Sequence, residues 1–563
     1  MENFKKEIAG LLSPHLEMSE EEIFKNLELP KRLDQGDLAF PCFRLAATMK
    51  KSPALIADEL AGKIASEKYE ARNIGPYLNF FIDRKILAET VINDILDKKV
   101  TYGSSDEGEN KPVIIEYSSA NISKELHFGH IRGIMIGSSL YKITNFLGYK
   151  GIAINHLGDY GINFGKIITA FMHWGNKEHI EEVGVRGLLE LYVKFNKASE
   201  TDPKYMEEAR HWFYKLEEEK DPEALELWKW FKDVSLKEYN RVYKIIGCHF
   251  DSFDGEAFYS DMMPAVRQEL LDKNLIVVDE GAEIIDLSDE NLPNIIVTTS
   301  QGTSLYITRD IAAAIYRKNH YDFYRNCYIV GSEQRLHFNQ LKAILKKMGY
   351  DWYQQCEHID HGLVMMEGGK ISSRDGDNIF LEDVINTAIE RTRNIIEEKN
   401  PGLENKDEIA RQVGLGALAY RELSNNRVKD YSFNWDEAIS FEGETGPYLQ
   451  YTNVRCHSLL EKGAYEEGAF DGSYLREESS KELVWELGLF PSSIRAAFEK
   501  MEPALLSRYL MGLAKLFNKF YSQVTILTED KEERAAKLAL VRAVSLTLET
   551  GMGLINMEAP KKM

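Results

Sequence analysis

Hydrophobic positions near the N-terminus predict a small α+β module. Ile56, Leu60 and Ile64 recur at helical spacing, and Ser52 before them has the residue type of a helix N-cap. A Gly-Pro turn then leads into alternating aromatic and apolar residues, so a strand is predicted in NIGPYLNFFID. The polar, turn-rich segment YGSSDEGENKP follows, and we therefore place this module at residues 1–108.

The next region alternates strand and helix patterns, which is the order of a parallel sheet. A strand is predicted in PVIIEY, a helix in HFGHIRGIMIGSSLYKITNFLG and a second strand in KGIAINHLGDYG. Between residues 175 and 245 the helical period dominates, which predicts a helical insertion. NLIVVDEGAEIID and NIIVTTSQGTSLYI predict a small β-hairpin insertion before NCYIVG returns to the sheet. We place this domain at residues 109–380.

From about residue 381 the strand patterns disappear and long amphipathic helices are predicted. One helical face carries five apolar positions: Leu506, Leu510, Leu513, Phe517 and Phe520. An all-α helix bundle is therefore predicted over residues 381–563. The predicted fold class is α/β, with a Rossmann-type parallel-sheet domain between the N-terminal α+β module and this bundle.

Composition places the chain among ordinary globular proteins, with 44% hydrophobic and 28% charged residues. We read no signal peptide or membrane-spanning run, so a cytoplasmic protein is expected. The five cysteines are scattered without a C-x-x-C pair, which disfavours both a disulfide framework and a zinc site. The net charge of -21 disfavours a protein that coats nucleic acid, although one basic groove remains compatible with it.

Candidate chemistry is concentrated in SSANISKELHFGHIRG, directly after the strand PVIIEY. His127 and His130 are three residues apart and would share a face in the first helical turn, where free N–H groups favour phosphate. Gly129 between them would let a ligand lie against the backbone. Lys124 adds a cation, which suits a polyphosphate better than a metal. Taken alone, H-x-G-H is equally compatible with surface decoration or a structural cap.

The same stretch resembles the extended HIGH signature of class I aminoacyl-tRNA synthetases, in the form S-x-N-x-x-K-x-x-H-x-G-H-x-R of the arginyl branch. Further segments resemble that branch, in order along nearly the whole chain: GDLAFPCFRLA, NHLGDYGINFG, DGEAFY, SLYITRDIAAA, DYSFNWDEAISFEGETGPYLQYTNVR and MEAPKKM. The resemblance implies ATP-dependent ligation of L-arginine to tRNA(Arg) through an arginyl-adenylate, releasing AMP and pyrophosphate. It also implies Mg²⁺ accompanying the ATP, and no zinc.

ATP-binding positions follow from the resemblance. They are Lys124, His127, Gly129, His130, Lys370, Ser372, Ser373 and Arg374, of which Lys124, His127, His130 and Lys370 are the implied catalytic residues. The segment GGKISSRDGD stands where the class has K-M-S-K-S, and Ser373 replaces the second lysine. Lys124 is expected to supply the missing charge. By itself, KISSRDGD would be interpreted as an exposed polar turn.

The arginine site is also implied by the resemblance. A guanidinium is planar with five donors, which carboxylates match in bidentate geometry. Glu116, Tyr306 and Asp310 are expected around the guanidinium, and Asn121 and Gln334 at the α-amino and carboxylate end. Tyr306 and Asp310 would share a face if a strand turns into a helix there. Glu116 could instead cap the nearby helix, and Asp310 could be an N-cap.

For tRNA, the resemblance implies that the first module contacts the elbow through Tyr77 and Asn79, and that the bundle binds the anticodon through Tyr521 and Met563. An aromatic face could stack on an unpaired base. A half-buried strand residue, a core tyrosine and a frayed end are the alternatives. The expected partners are tRNA(Arg), L-arginine and ATP, with no membrane or DNA, and a monomer is expected.

Two other functions are compatible with parts of this pattern. One is a small-molecule ligase or adenylyltransferase that uses H-x-G-H without RNA, which would need neither the helix bundle nor the N-terminal module. The other is a catalytically silent RNA-binding descendant of a synthetase, which predicts damaged ATP and arginine positions. The signature residues are intact, which favours the enzyme.

Overall fold

The computed structural model describes residues 1–30, 32–298, 306–366, 369–370 and 379–563. Within these ranges the chain forms an N-terminal module, a parallel-sheet domain with two insertions, and a C-terminal bundle. No helix in these ranges is both long and apolar enough to cross a bilayer.

The N-terminal module is a small antiparallel sheet covered by helices. Its elements are α1 (Glu2–Leu12), α2 (Glu20–Asn26), β1 (Leu38–Pro41), α3 (Ala46–Met49), α4 (Pro53–Ala61), β2 (Tyr69–Ile74), β3 (Tyr77–Ile82) and α5 (Arg84–Lys98). Strand β3 lies between β1 and β2 and is antiparallel to both. The predicted helix is confirmed as α4. Ser52 is its N-cap, since the Ser52 Oγ accepts a hydrogen bond from the Leu55 N–H at 3.4 Å.

The central domain begins with the predicted strand–helix–strand unit. Its elements are β4 (Pro112–Glu116), α6 (His130–Phe146), β5 (Lys150–Ile154), α7 (Ile162–Trp174), α12 (Glu256–Ser260), α13 (Met263–Asp272), α14 (Tyr306–Tyr321), β9 (Arg325–Tyr328), α15 (Arg335–Lys347), β10 (Cys356–His358), β11 (Val364–Met366) and β12 (Gly369–Lys370). Strands β10, β9, β4 and β5 lie in that order and are parallel. Both faces of β4 are buried, since Val113 and Ile115 pack into one core and Ile114 into another.

Two insertions interrupt this domain. The helical one consists of α8 (Lys177–Val183), α9 (Val185–Thr201), α10 (Lys204–Glu217) and α11 (Pro222–Ile245). The β insertion is the antiparallel set β6 (Ile276–Asp279), β7 (Ala282–Ile285) and β8 (Ile295–Thr298). Helices α7 and α10 cross in contact at Gly165, where a Cβ would lie 2.0 Å from the Ala209 carbonyl oxygen.

The C-terminal region is a helix bundle, with one short strand that the sequence did not predict. Its elements are α16 (Leu381–Lys399), α17 (Lys406–Ser424), β13 (Tyr431–Phe433), α18 (Trp435–Ala438), α19 (Gly446–Lys462), α20 (Glu478–Gly488), α21 (Phe490–Glu499), α22 (Ala504–Gln523) and α23 (Lys531–Leu554). Strand β13 pairs in parallel with β11, so the expectation that strands vanish after residue 381 is wrong. Three residues are too short to show a strand period, and their partner lies far away in sequence. The five apolar positions predicted on α22 are fully buried.

The two ends of the chain pack against each other. Helix α5 contacts α20 and α23, and the Tyr102 hydroxyl donates to the Leu487 carbonyl at 3.0 Å. Arg495 of α21 pairs with Glu2 and, at 2.7 Å, with Glu107. One hydrophobic core therefore extends from the first helix through the central domain to the bundle.

Candidate active site

The candidate site lies at the carboxyl ends of β4 and its parallel neighbours. Strand β4 has β5 on one side and β9 on the other, so the chain order reverses beside it. This is where open α/β sheets bind ligands. The loop after β4 pairs with the loop after β5, because Ile122 N donates to Gly158 O at 3.2 Å and Gly158 N donates to Ala120 O at 3.0 Å. Asn121 thus lies beside Gly158, where a Cβ would be 2.1 Å from the Asn121 Oδ1.

The two histidines lie at the start of α6. The helix begins at His130, so His127 lies in the preceding turn, and the prediction that both occupy the first helical turn is corrected. Their ring centroids are nevertheless 3.8 Å apart, and the His130 Nδ1 is 3.1 Å from both the main-chain N and O of His127. Gly129 packs against this pair, since a Cβ there would lie 3.0 Å from the His127 ring.

Both imidazoles are held neutral at physiological pH. Burial is the main cause that lowers the pKa of His130 to about 3, and the neighbouring His127 adds to it. Burial also lowers the pKa of His127, with a smaller contribution from the charge of Lys124. The rings can therefore exchange hydrogen bonds with phosphate or ribose oxygens, while Lys124 supplies the positive charge.

The helical insertion holds the loop that carries Lys124. The Tyr239 hydroxyl of α11 donates to the Asn121 carbonyl at 2.7 Å and also contacts the Lys124 carbonyl. Ser235 Oγ accepts from the Ser123 N–H at 3.1 Å. The Lys124 ammonium lies 5.0 Å from the centroid of the Tyr192 ring on α9. Sequence reasoning missed these insertion residues, because nothing local connects them to the HIGH-like stretch.

The segment that resembles K-M-S-K-S is anchored on both sides near the histidines. Strand β12, which ends at Lys370, pairs antiparallel with β11. On the other side of the segment, Phe128 N donates to Ile379 O at 2.9 Å, and Leu381 N donates to Leu126 O at 2.8 Å. Residues 379–381, which follow the segment, thus pair with the turn that contains His127.

Four predicted ATP positions cannot be located in the same way. Ser372, Ser373, Arg374 and the side chain of Lys370 lie outside the described residues.

Buried Arg132 fixes helix α6 to the segment before β13. Its Nη2 donates to the carbonyls of Asn426, Arg427 and Lys429 at 3.0 to 3.1 Å. Its Nη1 lies 3.5 Å from the buried carboxylate of Glu422. Since β13 pairs with β11 and β11 with β12, this contact joins the histidine helix to the strand that ends at Lys370.

An acidic cavity of about 580 Å³ lies beside the end of β4. Four of the five predicted arginine-site residues line it: Glu116, Asn121, Asp310 and Gln334. The Tyr306 side chain lies outside the described residues. Sequence analysis did not assign two further acids that line the cavity, Glu256 and Glu333. Burial raises the pKa of Glu256 to about 7, although the Arg309 guanidinium, 3.9 Å away, works in the opposite direction.

Glu116 is paired within the protein. Its Oε2 lies 2.5 Å from the Arg317 Nη1, and both side chains are almost completely buried. Arg317 lies between the rings of Tyr259 and Tyr328, each 5.7 Å from its guanidinium carbon. The carboxylate therefore pairs with Arg317 instead of capping a helix. The contact between Glu116 and a substrate guanidinium stays a prediction. In that complex the Glu116 carboxylate would contact both the substrate and Arg317.

Asp310 and His337 lie side by side in the cavity wall, with 2.6 Å between the Asp310 Oδ2 and the His337 Nε2. Burial opposes protonation of His337, but the hydrogen bond and charge of Asp310 outweigh it and raise the pKa of His337. Helix α14 already begins at Tyr306, so the expected strand at this point is wrong. Asp310 lies inside that helix and is not its N-cap. Tyr306 and Asp310 are thus four residues apart within the same helix.

The predicted tRNA positions are widely separated. Tyr77 is half-buried at the start of β3, with its ring edge-on to Phe43. Asn79 is only 4% exposed, and its amide donates to the Gln35 carbonyl.

On the C-terminal bundle, Tyr521 is 42% exposed and stacks with Arg455 at 4.6 Å, so it is not a core tyrosine. Met563 packs against the cluster formed by α16 and α17, so it is not a frayed end. All four contacts with tRNA stay predictions.

Family models match all three parts of the chain. The family model described as tRNA synthetases class I (R), catalytic domain, matches residues 91–435. Residues 2–82 match the arginyl tRNA synthetase N terminal domain, and residues 449–563 match the DALR anticodon binding domain. An arginine–tRNA ligase of Halothermothrix orenii is 48% identical over 567 residues, covering all of both chains. The chain belongs to the arginyl-tRNA synthetase family.

Other relatives agree with this membership. An arginine–tRNA ligase of Clostridioides difficile is also 48% identical over the full length of both chains. The solved arginyl-tRNA synthetase of Thermus thermophilus superposes with a TM-score of 0.79 at 25% identity, covering 100% of this chain and 99% of the other. The predicted family, fold class and enzyme class are confirmed, as is the charging of tRNA with arginine.

Proposed function

We propose that this arginyl-tRNA synthetase forms arginyl-adenylate with Lys124, His127 and His130 around the phosphates of ATP. The observation that carries the proposal is the adjacent pair of neutral imidazoles at the entrance to α6, with the ammonium of Lys124 in the loop that precedes them. Neutral rings can orient phosphate and ribose oxygens, and the lysine can stabilise charge as it builds on the leaving pyrophosphate. The arginine carboxylate attacks the α-phosphorus directly, so no covalent enzyme intermediate is required.

The positions in the segment that resembles K-M-S-K-S complete the proposed ATP site. Lys370, Ser372, Ser373 and Arg374 would contact the nucleotide from the segment anchored at 379–381, and Gly129 would let it approach the backbone. Among the described residues no cluster of three or more histidine, cysteine, aspartate or glutamate side chains could hold a metal. Mg²⁺ is therefore proposed to enter bound to the phosphates of ATP, where it would neutralise charge. No zinc is proposed.

The acidic cavity is proposed to select arginine. Glu116, Asp310 and Tyr306 would face the guanidinium, with Asn121 and Gln334 at the opposite end of the amino acid. A forked guanidinium can satisfy two acids at once, and the point charge of lysine cannot. The closeness of these acids around one cavity supports this assignment.

The remaining assignments concern tRNA(Arg), assembly and location. Tyr77 and Asn79 would contact the tRNA elbow. Tyr521, already stacked with an arginine, would stack on an anticodon base, and Met563 would contact the anticodon from the C-terminus. The domain bounds 1–108, 109–380 and 381–563, a monomeric state, a cytoplasmic location and no binding to DNA or membranes are part of the same proposal.

The decisive experiment is ATP–pyrophosphate exchange with each amino acid in turn, with and without tRNA. Exchange that requires arginine is expected from the wild type, and His127→Ala should abolish most of it without changing the melting temperature. Exchange with lysine at a rate comparable to arginine would refute the proposed selection. Arginine binding without any exchange would refute the proposed activation chemistry.

A further inference from the structure

The aromatic ring of Tyr192 has two lysine side chains beside it. The Lys124 ammonium lies 5.0 Å from the ring centroid, and the Lys166 ammonium lies 5.8 Å from the same centroid. Cation–π attraction favours each contact separately, but the two positive charges repel each other. Two positively charged groups therefore lie close to one aromatic ring.

Neither lysine has an acidic partner in the part of the chain that the structure describes. In the described ranges neither Lys124 nor Lys166 has a carboxylate within ion-pair distance. Their neighbours are paired: Glu125 binds Arg186 at 2.7 Å and Lys232 binds Asp159 at 2.7 Å. Because the described residues give neither ammonium group a carboxylate partner, the two groups together are suited to binding an external anion.

The positions of the two lysines match the ends of adjacent strands. Lys124 follows β4 and Lys166 lies in the second turn of α7, which follows β5. Because β4 and β5 are parallel neighbours, the segments after them meet at the same edge of the sheet. Since both ammonium groups lie within 5.8 Å of one centroid, a single polyphosphate could contact both.

We propose that Lys166 is a second phosphate-binding residue of the activation site and that Tyr192, from the helical insertion, positions it together with Lys124. This inference rests on the proposed adenylation chemistry. In that step an arginine carboxylate oxygen bonds to the α-phosphorus, the bond from this phosphorus to the bridging oxygen breaks, and its electron pair stays on pyrophosphate. The two lysines stabilise that accumulating charge. Lys166 carries part of the role that the second lysine of K-M-S-K-S has in other class I synthetases.

The test measures ATP–pyrophosphate exchange while pyrophosphate, arginine and tRNA are each varied in turn and the other substrates are kept saturating. Lys166→Met should lower kcat by about 100-fold, as expected when one stabilising group for developing charge is lost. It should also raise the KM for pyrophosphate, while the KM for arginine stays unchanged. Lys166→Arg keeps the charge and should retain most of the activity. The unchanged arginine KM and an unchanged melting temperature report that each variant is folded.

Tyr192 is tested by two substitutions that differ only in the ring. Tyr192→Phe keeps the aromatic face and should stay close to wild type. Tyr192→Leu should lower kcat by about 2- to 30-fold, the range expected for cation–π contacts, again without a change in arginine KM. The matched control is Lys177→Met, because the Lys177 ammonium lies 5.5 Å from the Trp230 ring in the same insertion but belongs to no proposed site. It should have wild-type kinetics.

Three results would overturn the inference. Wild-type exchange by Lys166→Met would show that its charge is not used. An increase confined to the KM for tRNA would assign Lys166 to a backbone phosphate of the tRNA instead of ATP. Equal losses in Tyr192→Phe and Tyr192→Leu would show that the ring is not what positions the lysines. A wild type without arginine-dependent exchange would refute the proposed function itself, and this outcome is distinct from the other three.

Discussion

Removing one partner of the buried pair Glu116 and Arg317 should be one of the most destabilising single changes in the site. Its charged atoms are 2.5 Å apart, and the two side chains are 5% and 0% exposed. Removing one partner of such a pair leaves an uncompensated buried charge, which costs about 3–5 kcal/mol. We therefore expect Arg317→Met, which keeps the approximate volume, to lower the free energy of unfolding by about that amount.

A double-mutant cycle separates the pair from its surroundings. Glu116→Gln keeps the shape and a hydrogen-bonding oxygen but leaves Arg317 buried without its anion, so it should also destabilise. Since the double variant contains neither charge, its loss should be smaller than the sum of the single losses by about 2 kcal/mol or more. Urea unfolding followed by circular dichroism on the four proteins measures these values.

A matched control and an activity measurement complete the cycle. The exposed pair Glu21–Lys25 has a similar separation of 2.6 Å but side chains 77% and 69% exposed, so its substitutions should be additive. Glu116→Gln should also raise the KM for arginine, because one acid of the cavity loses its charge. If the loss of the double variant equals the sum of the two single losses within about 0.5 kcal/mol, the expected coupling between Glu116 and Arg317 is refuted.

Three further predictions concern other parts of the structure. Lys124→Ala should lower the adenylation rate by about 100-fold in pyrophosphate exchange and leave the KM for arginine unchanged, and equal effects on both would contradict its role at the phosphates. Asp310 raises the pKa of His337, so the pair stabilises the fold fully below the ordinary histidine pKa of about 6.5, and this stabilisation is lost as pH rises through the raised pKa. The difference in unfolding free energy between wild type and His337→Gln should therefore be largest near about pH 6 and shrink as the pH is raised further. Gly165→Ala forces a Cβ to 2.0 Å from a carbonyl of α10, so chemical denaturation should show a loss of about 1–3 kcal/mol, whereas Gly553→Ala, with nothing within 4 Å, should be close to neutral.

Local patterns in the sequence were sufficient for most elements. The helix after Ser52, the alternating strand and helix after residue 112 and the apolar face of α22 each have a clear period, and the structure forms them where expected. The motif order also identified the family before any coordinates. These features share one property, since each depends on residues that are close together in the chain.

The features that sequence reasoning missed depend on distant partners. Strand β13 exists because β11 pairs with it, and three residues alone carry no readable period. His127 is outside α6 because its turn pairs with residue 380 instead of continuing the helix. Arg317 beside Glu116 and Tyr192 beside Lys124 are likewise brought together by the fold, so no local pattern could have assigned them.

The packing of α5 against α20 and α23 has a consequence for biosynthesis. A ribosome releases the N-terminal module first, and α5, which carries the buried residues Val91 and Ile95, can contact α20 and α23 only after those helices have been made. A chain that stops early would leave this surface open to chaperones and proteases. Chains with α20 and α23 in place cover the apolar surface of α5, whereas fragments without these helices expose it.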